Sequence, residues 1–224
     1  MFSGAFTALV TPFRNGEVDV EALENLVEFQ IGQGIHGLVP CGTTGETPSM
    51  SEAEDRLVIG TVVRVAAGRV PVIAGTGSNS TGMAIKYTKM AEEEGADGSL
   101  QVSPYYNKPT QEGLNRHFAA IAESTGLPII LYNIPGRTSV TISAETTARL
   151  AEIPNIVGTK EATHSMDLAS DIRRLCGEDF DILSGDDSLT LPLMSLGGRG
   201  VISVAANVAP ARVVSPTWLL DRLG

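Results

Sequence analysis

Eight short apolar runs, bounded by turn residues and separated by segments of helical character, constrain this chain more than any other feature. They read GAFTALVTP, GLVPCG, PVIAGTG, GSLQVSP, PIILYNIP, IVGTKEAT, FDILSGDD and GVISVAANV. Most are continuously apolar rather than alternating, which suits parallel strands buried on both faces. Amphipathic segments lie between them, at 19–34, 51–67, 79–95 and 110–125. Ser51 with Glu54 three residues later is a capping-box signature, and Gly34, Gly95 and Gly126 stand where helices should stop. The alternation predicts an α/β fold, a (βα)8 TIM barrel. A doubly wound sheet is the rival. Against it, the chain has no Gly-x-Gly-x-x-Gly after the first run and no Gly-Lys-Ser/Thr phosphate loop.

One part jars with that pattern. After the eighth run only APARVVSPTWLLDRLG remains. This predicts a βα-barrel over 1–208 and an atypical tail over 209–224, with a truncated or irregular final helix broken at Pro216.

The formal net charge of −10 argues against nucleic acid as a partner, though not against small anionic substrates held at a local site. Cys41 and Cys176 stand far apart without a CxxC, as free thiols in a reducing compartment would. No apolar stretch approaches membrane-spanning length, and the N-terminus lacks a basic region and cleavage pattern, so a cytoplasmic location is expected. His36, His117 and His164 show no metal-ligand spacing. Asp186 and Asp187 read as helix caps more readily than as cation ligands. Neither metal nor organic cofactor is expected.

In barrels of this kind chemistry sits at the C-terminal ends of the strands, and here those ends are polar. Lys160 ends the sixth run. Alternation along a strand groups it with Ile156 and Gly158, with Gly158 leaving room for it. An inward ammonium loses solvation, its pKa falls, and the free amine can attack a carbonyl. The alternative is a lysine snorkelling to solvent beside Glu161. Tyr132 shares a strand face with Pro128 and Ile130 and can enter the same space as a proton shuttle, or serve as a core aromatic. Thr43 and Thr44 offer hydroxyls and backbone N–H groups to a carboxylate, or form a simple turn. Arg137 suits a substrate carboxylate, or is a solvated loop residue.

Taken together, the motifs GTTGE, SPYYNKPTQEGL, YNIPGRT, GTKEAT, LSGDD and GVISVAANV resemble, in order and spacing, the dihydrodipicolinate synthase family, from Met1 to about Val208. The resemblance implies a Schiff-base lyase that condenses pyruvate with aspartate semialdehyde in the diaminopimelate and lysine pathway, without a cofactor. It implies that Lys160 forms the imine and Tyr132 handles protons. Thr44 would link Tyr132 to Tyr106, which would reach in from a neighbouring subunit of a homo-oligomer, a dimer at least. Thr43 and Thr44 would receive the pyruvate carboxylate, Arg137 the semialdehyde carboxylate, and Gly185 and Ile202 would line the pocket through backbone groups. A related keto-acid aldolase of the sialic acid lyase type is the alternative, disfavoured by the Thr43–Thr44 pair and Arg137. An inactive truncated paralogue is another. Family members normally continue into a full eighth helix and a C-terminal helical domain; the implied consequence is uncovered strand flanks, lower stability or an altered oligomer. At the family's lysine-inhibitor site Asn79 and Tyr105 fit, but Met83 cannot pair with an ammonium, so weak lysine feedback is expected.

Overall fold

All eight predicted runs become strands of one parallel sheet. The computed structural model describes residues 1–221. In chain order the elements are β1 (Gly4–Ala8), β2 (Phe13–Arg14), β3 (Glu17–Val18), α1 (Val20–Gly32), β4 (Gly37–Val39), α2 (Glu52–Ala66), β5 (Ile73–Gly75) and α3 (Thr81–Glu93). They continue with β6 (Gly98–Val102), α4 (Gln111–Ala122), β7 (Ile129–Asn133), α5 (Pro135–Thr138), α6 (Ala144–Ala151) and β8 (Ile156–Glu161). The last are α7 (Met166–Cys176), β9 (Asp181–Ser184), α8 (Thr190–Ser195), β10 (Gly200–Ser203) and α9 (Pro210–Asp221). The strand order is β4-β1-β10-β9-β8-β7-β6-β5, and a parallel bridge between Leu38 and Val72 joins the two ends into a barrel.

Local chemistry explains where the helices begin. Asp19, Ser51, Ser80, Thr110, Ser143 and Ser165 each accept a backbone N–H three residues on. Ser51 and Glu54 form the full capping box that the spacing predicts. Gly34 and Gly95 take positive φ just past their helices, as expected of stop glycines. Gly126 does not act as one, because α4 already ends at Ala122 with Glu123 as its cap. The β2–β3 hairpin is not among the expected elements. Its signal was present: Asn15 and Gly16 both have positive φ, the Asn-Gly preference of a tight hairpin turn.

Side chains alternate between two destinations. Phe6, Val39, Ile73, Leu100, Ile130, Leu183 and Ile202 fill the barrel interior together with Tyr132. Outward residues such as Leu131, Ile156 and Ile182 pack under the helices in a separate cluster. The burial of Ile156 on the helix side corrects the expectation that it shares a face with Lys160. The β7–β8 register shifts between Ile129 and Ile130, so the alternation is reset before Gly158.

The tail is not broken at Pro216. It forms helix α9, which continues through Pro216. A proline removes one hydrogen bond and kinks a helix, but need not end it. Val213 and Val214 pack, partly buried, against the cluster that contains Ala5, Val27, Val201 and Ala206, so this helix lies over part of the flank expected to be partly uncovered. Residues 222–224 of the predicted tail lie outside the described residues.

Candidate active site

Lys160 is the last residue but one of β8, paired in register with Tyr132 on β7 and Leu183 on β9. That pairing turns it into the barrel, where only 6% of its surface is exposed. Glu161, the next residue, faces the other way: Asn133 Nδ2 donates to it at 3.3 Å and the Thr163 N–H at 3.0 Å. The neighbouring acid therefore does not neutralise the lysine. It ties the end of β7 to the loop that follows β8.

The room for Lys160 comes from an unexpected glycine. A Cβ at Gly158 would come within 2.5 Å of the Asp181 carbonyl oxygen, so Gly158 lets β8 and β9 approach each other. A Cβ at Gly185 would meet Ala162 Cβ at 2.7 Å and Lys160 Cε at 3.1 Å. Gly185, not Gly158, is the residue that leaves space for the lysine.

Burial pushes the Lys160 ammonium down to about 8, opposed by the Asp187 carboxylate and assisted by the Arg137 guanidinium. Its Nζ lies 4.2 Å from the centre of the Tyr132 ring. Tyr132 is itself buried, and burial pushes its phenol up; Arg137 and a hydroxyl contact from Thr43 pull it back. Asp187 is held in place: Ser203 Oγ donates to its Oδ1 and the Ala205 N–H to its Oδ2 at 3.0 Å. In sequence Asp187 reads only as a cap or cation ligand. Nothing local signals its electrostatic action on Lys160, because β8–β9 pairing is what brings the loop after β9 near that residue. The helix-capping role falls to Asp186, whose side chain accepts the Ser188 N–H.

These groups open on a cavity of about 600 Å³ lined by Thr43, Thr44, Tyr132, Arg137, Lys160 and Gly185, among others. Arg137 sits on the single turn α5, whose start is set by Pro135. Ile202 is fully buried among the inward apolar residues and stands outside the cavity lining. Tyr106 is 89% exposed, with positive φ, and does not reach this cavity within one chain. A carboxylate-bearing ketone fits the chemistry of this lining: an amine of lowered basicity, a phenol, hydroxyls and one guanidinium.

A second cavity of about 430 Å³ shares the wall of Thr43, Tyr132 and Arg137 and continues to Thr47, Asp55 and Tyr105. Burial pushes the Asp55 carboxyl up to about 6. Of the two expected inhibitor-site residues Tyr105 lines this cavity, whereas Asn79 stands outside its lining and accepts a hydrogen bond from Asn107 Nδ2 through its carbonyl. Among the described residues no cluster of three metal-binding side chains occurs, and no helix is long and apolar enough to cross a membrane. Both cysteines are free.

Residues 1–217 match the Dihydrodipicolinate synthetase family. The 4-hydroxy-tetrahydrodipicolinate synthase of Syntrophus aciditrophicus is 60% identical over 211 residues, which are 94% of this chain and 72% of that protein. The solved structure of the 4-hydroxy-tetrahydrodipicolinate synthase from Methylacidiphilum fumariolicum SolV superposes with a TM-score of 0.98 at 50% identity, covering 99% of this chain and 74% of that one. The dihydrodipicolinate synthase of Acinetobacter baumannii, solved in complex with pyruvate, gives 0.97 at 48% identity, covering 99% and 77%. With its barrel, its buried strand-end lysine and this extent of similarity, the chain belongs to the dihydrodipicolinate synthetase family.

Proposed function

We propose that this chain is a 4-hydroxy-tetrahydrodipicolinate synthase, a carbon–carbon lyase that joins pyruvate to aspartate semialdehyde through an imine on Lys160. The observation that carries this reading is the buried Lys160 amine, pushed down to about 8 beside the Tyr132 ring. The pyruvate complex of the Acinetobacter baumannii relative supports the choice of ketone.

The neutral amine attacks pyruvate's keto carbon, and the carbinolamine loses water to give a protonated imine. That cation is the electron sink: the methyl carbon loses a proton to give an enamine. The enamine carbon bonds to the acceptor's aldehyde carbon, whose oxygen takes a proton. Attack on the imine by the acceptor's own amino group, or by water, then frees Lys160. Tyr132, whose phenol stays protonated at neutral pH, gives and takes these protons. Thr43 and Thr44 receive the pyruvate carboxylate and Arg137 that of the acceptor. The exposed Tyr106 is available to a second copy of the chain, where Thr44 links it to Tyr132.

Borohydride reduction in the presence of pyruvate tests the reading. A mass adduct mapped to Lys160, and condensation with aspartate semialdehyde faster than with sugar-derived aldehydes, is the expected result. Folded protein that forms no adduct refutes it.

A further inference from the structure

Three successive strand ends place opposite charges on either side of Lys160. In the sheet β8 lies between β7 and β9. The turn after β7 carries Arg137, and the loop after β9 begins with Gly185 and Asp186. Between them, the loop after β8 carries His164, whose Nε2 lies 2.9 Å from Asp186 Oδ2. Arg137, His164 and Asp186 all line the cavity that contains Lys160.

His164 occupies this place in the left-handed region, at φ 62°. Such a conformation persists in a non-glycine residue when its surroundings hold it there. The His164 imidazole meets one oxygen of Asp186, and the other is fixed separately: Asp186 Oδ1 accepts the Ser188 N–H at 3.1 Å and the Ser188 hydroxyl at 2.9 Å. The Ser188 bonds first, and His164 after them, keep its carboxyl below the usual range. The pair is at the mouth rather than in the core, with side chains 68% and 33% exposed for His164 and Asp186. The cavity therefore presents a guanidinium on the β7 side, an anchored carboxylate on the β9 side, and the reacting amine between them.

We propose that His164 is a positioning residue that holds the Asp186 carboxylate opposite Arg137, so that the acceptor subsite selects a zwitterionic aldehyde. The acceptor's carboxylate goes to Arg137 and its ammonium to Asp186, which sets the aldehyde carbon over the Lys160 enamine. This rests on the aldol reading above. A sugar-type acceptor, which has no ammonium, gains nothing from the second charge.

The test compares two four-carbon acceptors, aspartate semialdehyde and the same acid semialdehyde without its amino group, in the full chain and in His164→Gly and His164→Asn. Glycine removes the imidazole and relaxes the turn; asparagine tolerates the turn and keeps a donor for Asp186. For His164→Gly, kcat/KM for the amino-bearing acceptor falls about fivefold, carried by KM, the scale of one partly exposed charge contact. The deaminated acceptor changes less than twofold, His164→Asn recovers part of the loss, and the rate of pyruvate trapping on Lys160 is unchanged. Equal losses on both acceptors, or none on either, overturn the proposal while leaving the aldol reading intact. Failure of pyruvate trapping in the parent chain overturns the aldol reading, and this inference falls with it.

Discussion

The Lys160 Nζ sits 4.2 Å from the centre of the Tyr132 ring, a contact that favours the ammonium at a place where burial favours the free amine. Burial wins, and the amine settles near 8. Roughly one lysine in ten is then neutral at pH 7, against about one in three thousand for an amine of ordinary basicity.

Adduct formation should therefore follow that titration. Initial rates of borohydride trapping with pyruvate are expected to rise through pH 8 and level off above it. Asp187→Asn removes the anion that favours the charged form and moves the midpoint down. Arg137→Leu removes a cation that disfavours it and moves the midpoint up. A midpoint that stays put in both variants contradicts the charge assignment.

The same burial costs stability. The folded state binds its proton less tightly than the unfolded chain, from an ordinary value of 10.5 down to about 8. Below pH 8 both states are charged and the folded state carries the full penalty, about 3 kcal/mol. Between pH 8 and 10.5 the folded amine is neutral while the unfolded one remains charged, so the penalty fades, and above 10.5 it is gone. Lys160→Met is thus expected to be inactive but more stable at pH 7, with a higher thermal midpoint. The gain should shrink as the comparison is repeated toward pH 10.

Tyr132→Phe keeps the ring over Lys160 and removes only the hydroxyl. Turnover should drop by about 10² to 10⁴, the usual worth of a placed proton carrier. Stability should change by no more than about 1 kcal/mol, the net value of one hydrogen bond. Turnover within a few-fold of the parent would assign the proton transfers to another group.

The two glycines near Lys160 should respond differently. Gly158→Ala drives a methyl against the backbone of Asp181 and is expected to destabilise the barrel by about 1–3 kcal/mol. Gly185→Ala instead meets Ala162 Cβ and Lys160 Cε, so trapping with pyruvate should be lost or slowed. Thermal melts and trapping rates measured on both variants separate the two effects.

Much of this was legible in the chain itself. Continuous apolar runs suit strands buried on both faces, so the runs pointed to a parallel sheet; their number, and the missing phosphate-binding loops, favoured a barrel over a doubly wound sheet. The two-residue repeat placed Ile130 and Tyr132 inward, and capping residues set the helix starts. What failed were statements about geometry between strands. The register shift at Ile129–Ile130 sends Ile156 to the helix side. Which glycine makes room for Lys160 depends on how closely β8 nears β9 and on the loop beyond. The action of Asp187 on Lys160, and the contact between His164 and Asp186, join loops that follow different strands. Periodicity is a property of one segment and is written in its residues. Electrostatic coupling depends on distances through space, and those exist only once the strands are paired.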